Sequence, residues 1–319
     1  MKLKLFCLIL FISITIGYSQ NLTQDKIRMV ITPIPKLILK NYVNKEKGKK
    51  IASLMQAEIR TDKYFKINDP DSLAAYLTRD LKKISGDGHM YINYLHNVPN
   101  KSDSILDWES QEKELEIRLN YGFTEVQILE DNTGYIKIVE FMHPKRSMQT
   151  AVAAMKLVEN AKNLIIDIRN NGGGYPGILE YIMNHYFDGP PTHLSTTYFS
   201  DPNQIPYSNY SSDLVYGKLR IGTPLYILIN NETGSAAEYF AYTLQAFDKA
   251  IIIGERSTGS AHNNEYYPLT DDFRISISTA MPINERTKSN WEQKGVVPDV
   301  IINSDSAKEK ALEIIQKGK

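Results

Sequence analysis

Asn163-Leu164-Ile165-Ile166-Asp167-Ile168-Arg169-Asn170-Asn171-Gly172-Gly173-Gly174 is a short apolar run that opens into three consecutive glycines. An isoleucine-rich run bounded by polar residues reads as a strand buried on both faces. The glycines leave backbone N–H groups uncovered, because no Cβ blocks a neighbouring chain or a developing anion. The same residues also serve as a plain strand-to-helix loop, and they match neither a Walker A loop nor G-x-G-x-x-G. Upstream, Phe123 to Leu129 and Tyr135 to Phe141 flank Glu130-Asp131-Asn132-Thr133-Gly134 as a hairpin, and Met148 to Lys162 is an alanine-rich amphipathic helix. Downstream, helices at Ile178 to Phe187 and Ser235 to Phe247 alternate with buried strands at Leu225 to Ile229 and Ala250 to Ile253. Apolar strands separated by helices predict an α/β layer with a largely parallel sheet. Arg274 to Thr279 and the Ile301 segment add β structure, and a basic helix runs from Ser306.

The first third has a different texture. Ile34 to Val43, Lys49 to Arg60 and Asp71 to Ile84 carry helical periodicity, with Leu73, Leu77 and Leu81 recurring every four residues behind the start signal Asp69-Pro70-Asp71-Ser72. Residues 97 to 118, with Asn97, Pro99, Asn100, Ser102, Asp103 and Ser104, read as a connector. At the N-terminus Lys2 and Lys4 precede an uncharged apolar stretch from Leu5 to Gly17, then Tyr18-Ser19-Gln20. This is the pattern of a secretory signal peptide over residues 1–19, too short for a comfortable membrane span. The expected organisation is therefore a leader (1–19), an N-terminal helical domain with connector (20–118), an α/β core (119–305) and a C-terminal helix (306–319).

Composition narrows the function classes. The chain has 319 residues, with 37 Lys+Arg balancing 37 Asp+Glu. Removing the leader takes two lysines and Cys7, the single cysteine, leaving 300 residues, a charge of 35 − 37 = −2 and no disulfide. Such a chain depends on its own core for stability. Nothing in the charge balance favours nucleic acid, which needs a cationic surplus on at least one face. No later run is apolar enough to span a membrane.

Two further places carry chemistry. After Leu225 to Ile229 comes Asn230-Asn231-Glu232-Thr233-Gly234-Ser235-Ala236-Ala237-Glu238. A serine at a helix N-terminus behind a buried strand displays its hydroxyl at the sheet's end, where the helix dipole favours an alkoxide. Ser235-x-x-Glu238 is equally a capping box, with no catalytic content. The other place is a distant pair, Asp87-Gly88-His89 and Trp291-Glu292-Gln293-Lys294-Gly295-Val296-Val297-Pro298-Asp299, which holds a histidine and a carboxylate. A nucleophilic serine needs such a base and orienting acid, though a surface histidine and a solvated glutamate fit the same residues. His96, His143, His185, His193 and His262 show no metal-ligand spacing, so no metal and no cofactor is expected.

Taken in order, Asn163 to Gly174, Thr233-Gly234-Ser235-Ala236-Ala237-Glu238, Gly254-Glu255 and Gly295-Val296-Val297-Pro298-Asp299 resemble the C-terminal processing (tail-specific) serine peptidases. Leu77-Thr78-Arg79-Asp80-Leu81 and Ser85-Gly86-Asp87-Gly88-His89 extend the resemblance to a branch that groups tricorn-core-like peptidases with the repeats of interphotoreceptor retinoid-binding protein. The resemblance implies a crotonase/ClpP-like core of stacked βα units behind a helical domain, and no PDZ module is evident. Better-known members use a Ser–Lys dyad, whereas this chain reads Gly259-Ser260-Ala261-His262 at the lysine turn. The tricorn-like branch pairs its serine with an N-terminal histidine and a glutamate before the Gly-Val-x-Pro-Asp turn, positions filled here by His89 and Glu292.

The leader implies export to a periplasm or the extracellular space, and the resemblance implies a serine peptidase acting on peptides or unfolded proteins. Ser235 is the expected nucleophile, His89 the base, Glu292 its orienting acid, and Gly172, Gly173 and Ala236 the oxyanion donors. His262 is the competing base. The alternative is a catalytically silent relative that binds an apolar ligand or peptide. Tyr175 to Tyr210 is rich in aromatic residues that either wall a peptide site or pack on the sheet.

Overall fold

A computed structural model describes residues 21–96 and 101–318. The expected leader lies outside the described residues. Four helices come first: α1 (Gln24–Ile31), α2 (Ile34–Asn41), α3 (Lys45–Ile59) and α4 (Pro70–Ser85). Thr23, Asn44 and Asp69 cap α1, α3 and α4, each from an extended backbone that lets the side chain accept an orphan N–H. Strand β1 (Tyr91–Tyr94) and helix α5 (Lys101–Arg118) follow, so the segment read as a connector is largely helical. Arg146 of a later helix holds α5, through ion pairs with Glu112 and Glu116. A helix docked by charge in this way lacks the apolar stripe that sequence reading looks for.

The α/β region runs β2 (Phe123–Leu129), β3 (Thr133–Ile138), α6 (Pro144–Leu157), β4 (Asn163–Asp167), α7 (Pro176–Asn184), β5 (His193–Phe199), β6 (Tyr207–Tyr210), β7 (Leu225–Ile229), α8 (Ala236–Ala246), β8 (Ile251–Gly254), β9 (Asn263–Pro268), β10 (Phe273–Asn284), β11 (Val300–Ile301) and α9 (Ala307–Lys317). One sheet has the order β11-β8-β7-β4-β3-β2. It is parallel except for the β2–β3 hairpin. Leu164, Ile166 and Ile168 point into a core shared with α6, α7 and α8, and the alternate Ile165 faces Ala307, Ala311 and Ile315 of α9. Burial on both faces is why Leu164 to Ile166 is apolar without alternation.

The second sheet, antiparallel, has the order β1-β10-β5-β6, with β9 also paired to β10. It joins the two ends of the chain. Ile27, Ile31, Tyr64, Leu73, Leu77 and Leu81 pack in one core with Phe273, Ile275 and Ile277 of β10. The N-terminal helical region is thus closed by a strand from the C-terminal third, so the expected boundary at 118/119 does not separate two hydrophobic cores. Within the aromatic stretch Tyr181, Tyr186 and Phe187 are core, while Tyr198, Tyr207 and Tyr210 on β5 and β6 are exposed. No helix among the described residues is long and apolar enough to cross a membrane.

Candidate active site

The parallel neighbours β4 and β7 end side by side, and their exit turns are laced together. Asn170 N–H donates to Asn230 Oδ1 at 2.9 Å and Asn230 Nδ2 to Asn170 Oδ1 at 2.6 Å. Buried Thr233 donates its hydroxyl to Ile168 O at 3.0 Å, and Gly234 N–H reaches Asn171 O at 3.0 Å. Gly173, at φ +117°, lies so close to the next turn that a Cβ would stand 2.8 Å from Ser235 Cβ. Gly173 is thus the wall against which the serine turn is seated, Gly174 lies instead against the Phe141 backbone, and any side chain at Gly173 would displace the turn.

Ser235 caps α8 but not in the ordinary way. Thr23, Asn44 and Asp69 cap from an extended backbone, whereas Ser235 adopts φ 52°, ψ −119°. A non-glycine residue held there is strained, and strain at a strand-to-helix turn is how a serine is presented at a sheet's edge. Fully buried Glu238 secures the turn. Its carboxylate accepts from Ser235 N–H (2.9 Å), Gly259 N–H (2.6 Å), Ser260 N–H (2.9 Å), Ser257 Oγ (2.6 Å) and Thr258 Oγ1 (3.1 Å). The glutamate of the expected capping box therefore also fixes the 257–260 loop to the serine.

That loop carries His262, which is 5% exposed and lines the same cavity of about 380 Å3 as Ser235. Its Nδ1 lies 2.9 Å from Asp87 Oδ2. Asp87 is fully buried and also accepts from the Tyr42 hydroxyl at 2.9 Å and His89 N–H at 2.9 Å. Burial alone would raise the Asp87 carboxyl, but the hydrogen bond and charge of His262 outweigh it and hold it below the usual carboxylate range. An ionised carboxylate only accepts, so the proton sits on Nδ1 and Nε2 is the nitrogen left with a lone pair. Burial, then the charge of Asp87, pushes the Tyr42 phenol far upward, so it remains a donor.

Glu292 completes the cluster. Its Oε2 accepts from Ala261 N–H at 2.9 Å and His262 N–H at 3.3 Å, and lies 3.6 Å from His262 Nδ1. Burial, with the charge of Asp87, raises its carboxyl, and Oε1 is buried without a partner among the described residues. The two carboxyls are thus pushed in opposite directions, one toward the anion and one toward the acid. Asp87, His262 and Glu292 offer ligand atoms within 4.8 Å of one another, a donor set that could hold a cation. Here the Asp87–His262 hydrogen bond already joins two of the three.

His89 is close but differently placed. It does not line the cavity that Ser235 and His262 share. Its carbonyl accepts from Ser276 Oγ at 2.6 Å, and its Nδ1 is buried without a partner among the described residues. Burial lowers its imidazole, against the pull of Asp87. Gly88 before it lies against Ser260, whose Oγ would be 2.3 Å from a Cβ there. Among the expected oxyanion donors, Gly173 N–H is already given to Asn171 Oδ1 at 2.8 Å. Gly172 and Ala236 N–H have no partner among the described residues, so they remain available for an anion. Sequence reading passed over Tyr42 and the orienting use of Asp87; the only local signal was that Asp87 lies two residues before His89.

The IRBP-type N-terminal domain of the S41 peptidases matches residues 22–130, and Peptidase family S41 itself matches residues 132–302. The chain belongs to peptidase family S41. Carboxyl-terminal-processing peptidase 3, chloroplastic, of Arabidopsis thaliana is 26% identical to this S41 chain over 188 residues, 58% of this chain and 34% of that protein. The matched stretch spans between 29% and 44% of the length of the curated relatives. A candidate peptidase from Parabacteroides merdae shares the fold with a TM-score of 0.62 at 18% identity, over 92% of this chain and 97% of that one. The photosystem II D1 C-terminal processing protease does so with a TM-score of 0.53 at 14% identity, over 88% and 94%.

Proposed function

We propose that this S41 chain is an exported serine peptidase that hydrolyses peptide bonds in peptides or unfolded proteins, with Ser235 as nucleophile. The observation that carries the reading is the strained Ser235 turn sharing one cavity with an imidazole whose Nδ1 is fixed by a buried carboxylate. His262 Nε2 takes the Ser235 proton as Oγ bonds to the scissile carbonyl carbon. The oxyanion lies against Ala236 N–H and the glycine turn, with Gly172 rather than Gly173 as the available partner, and each such donor contributes roughly 3 kcal/mol. His262 then gives its proton to the leaving amine as the C–N bond breaks, and water releases the acyl group by the same steps. Glu292 is a positioning residue that holds the His262 main chain.

A second assignment keeps Ser235 and makes His89 the base. It is favoured by the Ser85-Gly86-Asp87-Gly88-His89 resemblance and by the unpartnered buried Nδ1. Export rests on the leader pattern at 1–19. The test is cleavage of unfolded casein by the mature chain beside Ser235→Ala, matched for folding by thermal melt. Loss of cleavage in a folded Ser235→Ala supports the peptidase; no cleavage by either protein returns Ser235 to the role of a helix cap. His262→Ala and His89→Ala, assayed alike, separate the two bases.

A further inference from the structure

The cavity beside Ser235 is lined by the start of α7, the start of α8, strands β5 and β6, and the 261–264 segment. No lysine or arginine lines it, and its one carboxylate is Glu180 of α7. Asn209 Nδ2 donates to Glu180 Oε1 at 3.1 Å and to the Tyr239 hydroxyl at 2.9 Å, and Ser195 Oγ lies 3.1 Å from that hydroxyl. Among the described residues, one neutral amide thus supports a carboxylate drawn out of water. Burial raises this carboxyl, the Asn209 bond opposes it, and no cation contributes. Two other withdrawn carboxylates already have a cation: Glu116 has Arg146 and Asp167 has Arg169. A carboxylate on a cavity wall with spare acceptor capacity gains most from a cation that arrives with a ligand, because its own desolvation is already in place.

We propose that this cavity selects a cationic group of the substrate through Glu180, with Asn209 and Tyr239 holding the carboxylate in position. The inference rests on the reading of Ser235 as nucleophile, which puts the cavity next to the scissile bond. The cation is a lysine or arginine side chain flanking that bond, or a peptide's free α-amine.

The test uses fluorogenic peptides that differ only in Arg, Lys, Met or Glu at each position flanking the scissile bond, each with a free or acetylated N-terminus. The expected result is a kcat/KM for Arg or Lys at one position at least about tenfold above Met. Glu180→Gln should collapse that ratio, and Glu180→Asp, the second variant should Gln fail to fold, should reduce it. Dependence on the free N-terminus instead of the side chain assigns the α-amine. Equal rates across the panel, or a ratio that survives Glu180→Gln in a folded protein, overturn the proposal. If no hydrolysis depends on Ser235, the peptidase reading fails separately, and calorimetric binding of the same peptides to Ser235→Ala decides this one. Tighter binding of the cationic peptides that is lost on adding Glu180→Gln supports it; equal binding overturns it.

Discussion

Replacing Gly173 by alanine tests whether the glycine wall seats the nucleophile. Gly173 holds φ +117°, and a Cβ there would stand 2.8 Å from Ser235 Cβ, 2.9 Å from Ala236 N and 3.0 Å from Gly234 O. Two of those three neighbours are backbone atoms, which cannot swing aside as the end of a side chain would. Backbone strain at such a position costs about 1–3 kcal/mol. Forcing a methyl group into filled space costs about 1–3 kcal/mol more. Midway through both ranges the loss is about 4 kcal/mol, which at about 2 °C per kcal/mol lowers the melt by about 8 °C. If the serine turn yields by about an ångström, Ser235 leaves its line of attack and kcat/KM falls about 100-fold. Gly172 is the control, since it has ordinary φ and open space where its Cβ would lie. Gly172→Ala should change stability by less than about 0.5 kcal/mol. The assay pairs thermal unfolding with peptide hydrolysis for both variants. A Gly173→Ala protein that melts and hydrolyses like the parent refutes the seating argument.

Asp87→Asn removes the acceptor that keeps the proton on His262 Nδ1, and kcat should drop by about 10³–10⁴; retention of activity in a folded variant transfers the base to His89. Glu292 is raised above its ordinary 4.5, so the folded chain keeps a proton that the unfolded chain has released, and stability falls as pH rises from 4.5. Urea unfolding between pH 4.5 and 7 should lose this part of its slope in Glu292→Gln. His89 acts in the other direction: lowered from 6.5, it stays neutral in the folded chain while the unfolded chain binds a proton, so stability falls as pH drops below 6.5. His89→Gln should flatten that limb. Buried Arg220 donates to the carbonyls of Val158, Glu159 and Ala161 at the end of α6. Arg220→Met should cost about 2–3 kcal/mol in urea unfolding, and a midpoint unchanged from the parent would refute its role as a clamp.

The strands of the parallel sheet were legible because burial on both faces leaves a signature in a few consecutive residues, as at Leu164 to Ile166 and Leu225 to Ile229. Ser235 and the glycine wall were legible for a related reason, since each sits at the end of such a strand. The helix over 101–118 was not, because it is held to Arg146 by glutamates and the sequence leading into it, Asn97, Pro99 and Asn100, has the composition of a loop. The shared core of α1–α4 with β10 was also hidden: Phe273, Ile275 and Ile277 alternate as any half-buried strand does, and alternation does not name a partner. The Asp87–His262 bond joins residues 175 apart, and only the fold brings them together.

Glu292 and β10 have a consequence in time. A chain made from its N-terminus exposes Ile27, Tyr64 and Leu81 before Phe273, Ile275 and Ile277 exist to cover them. Asp87 likewise waits for His262, and His262 for the Glu292 carboxylate that fixes its main chain. A nascent chain ending before residue 292 cannot hold the arrangement. On the proposed reading, hydrolysis therefore begins only once the segment around residue 292 has been delivered and folded, which spares the chain's own unfinished copies.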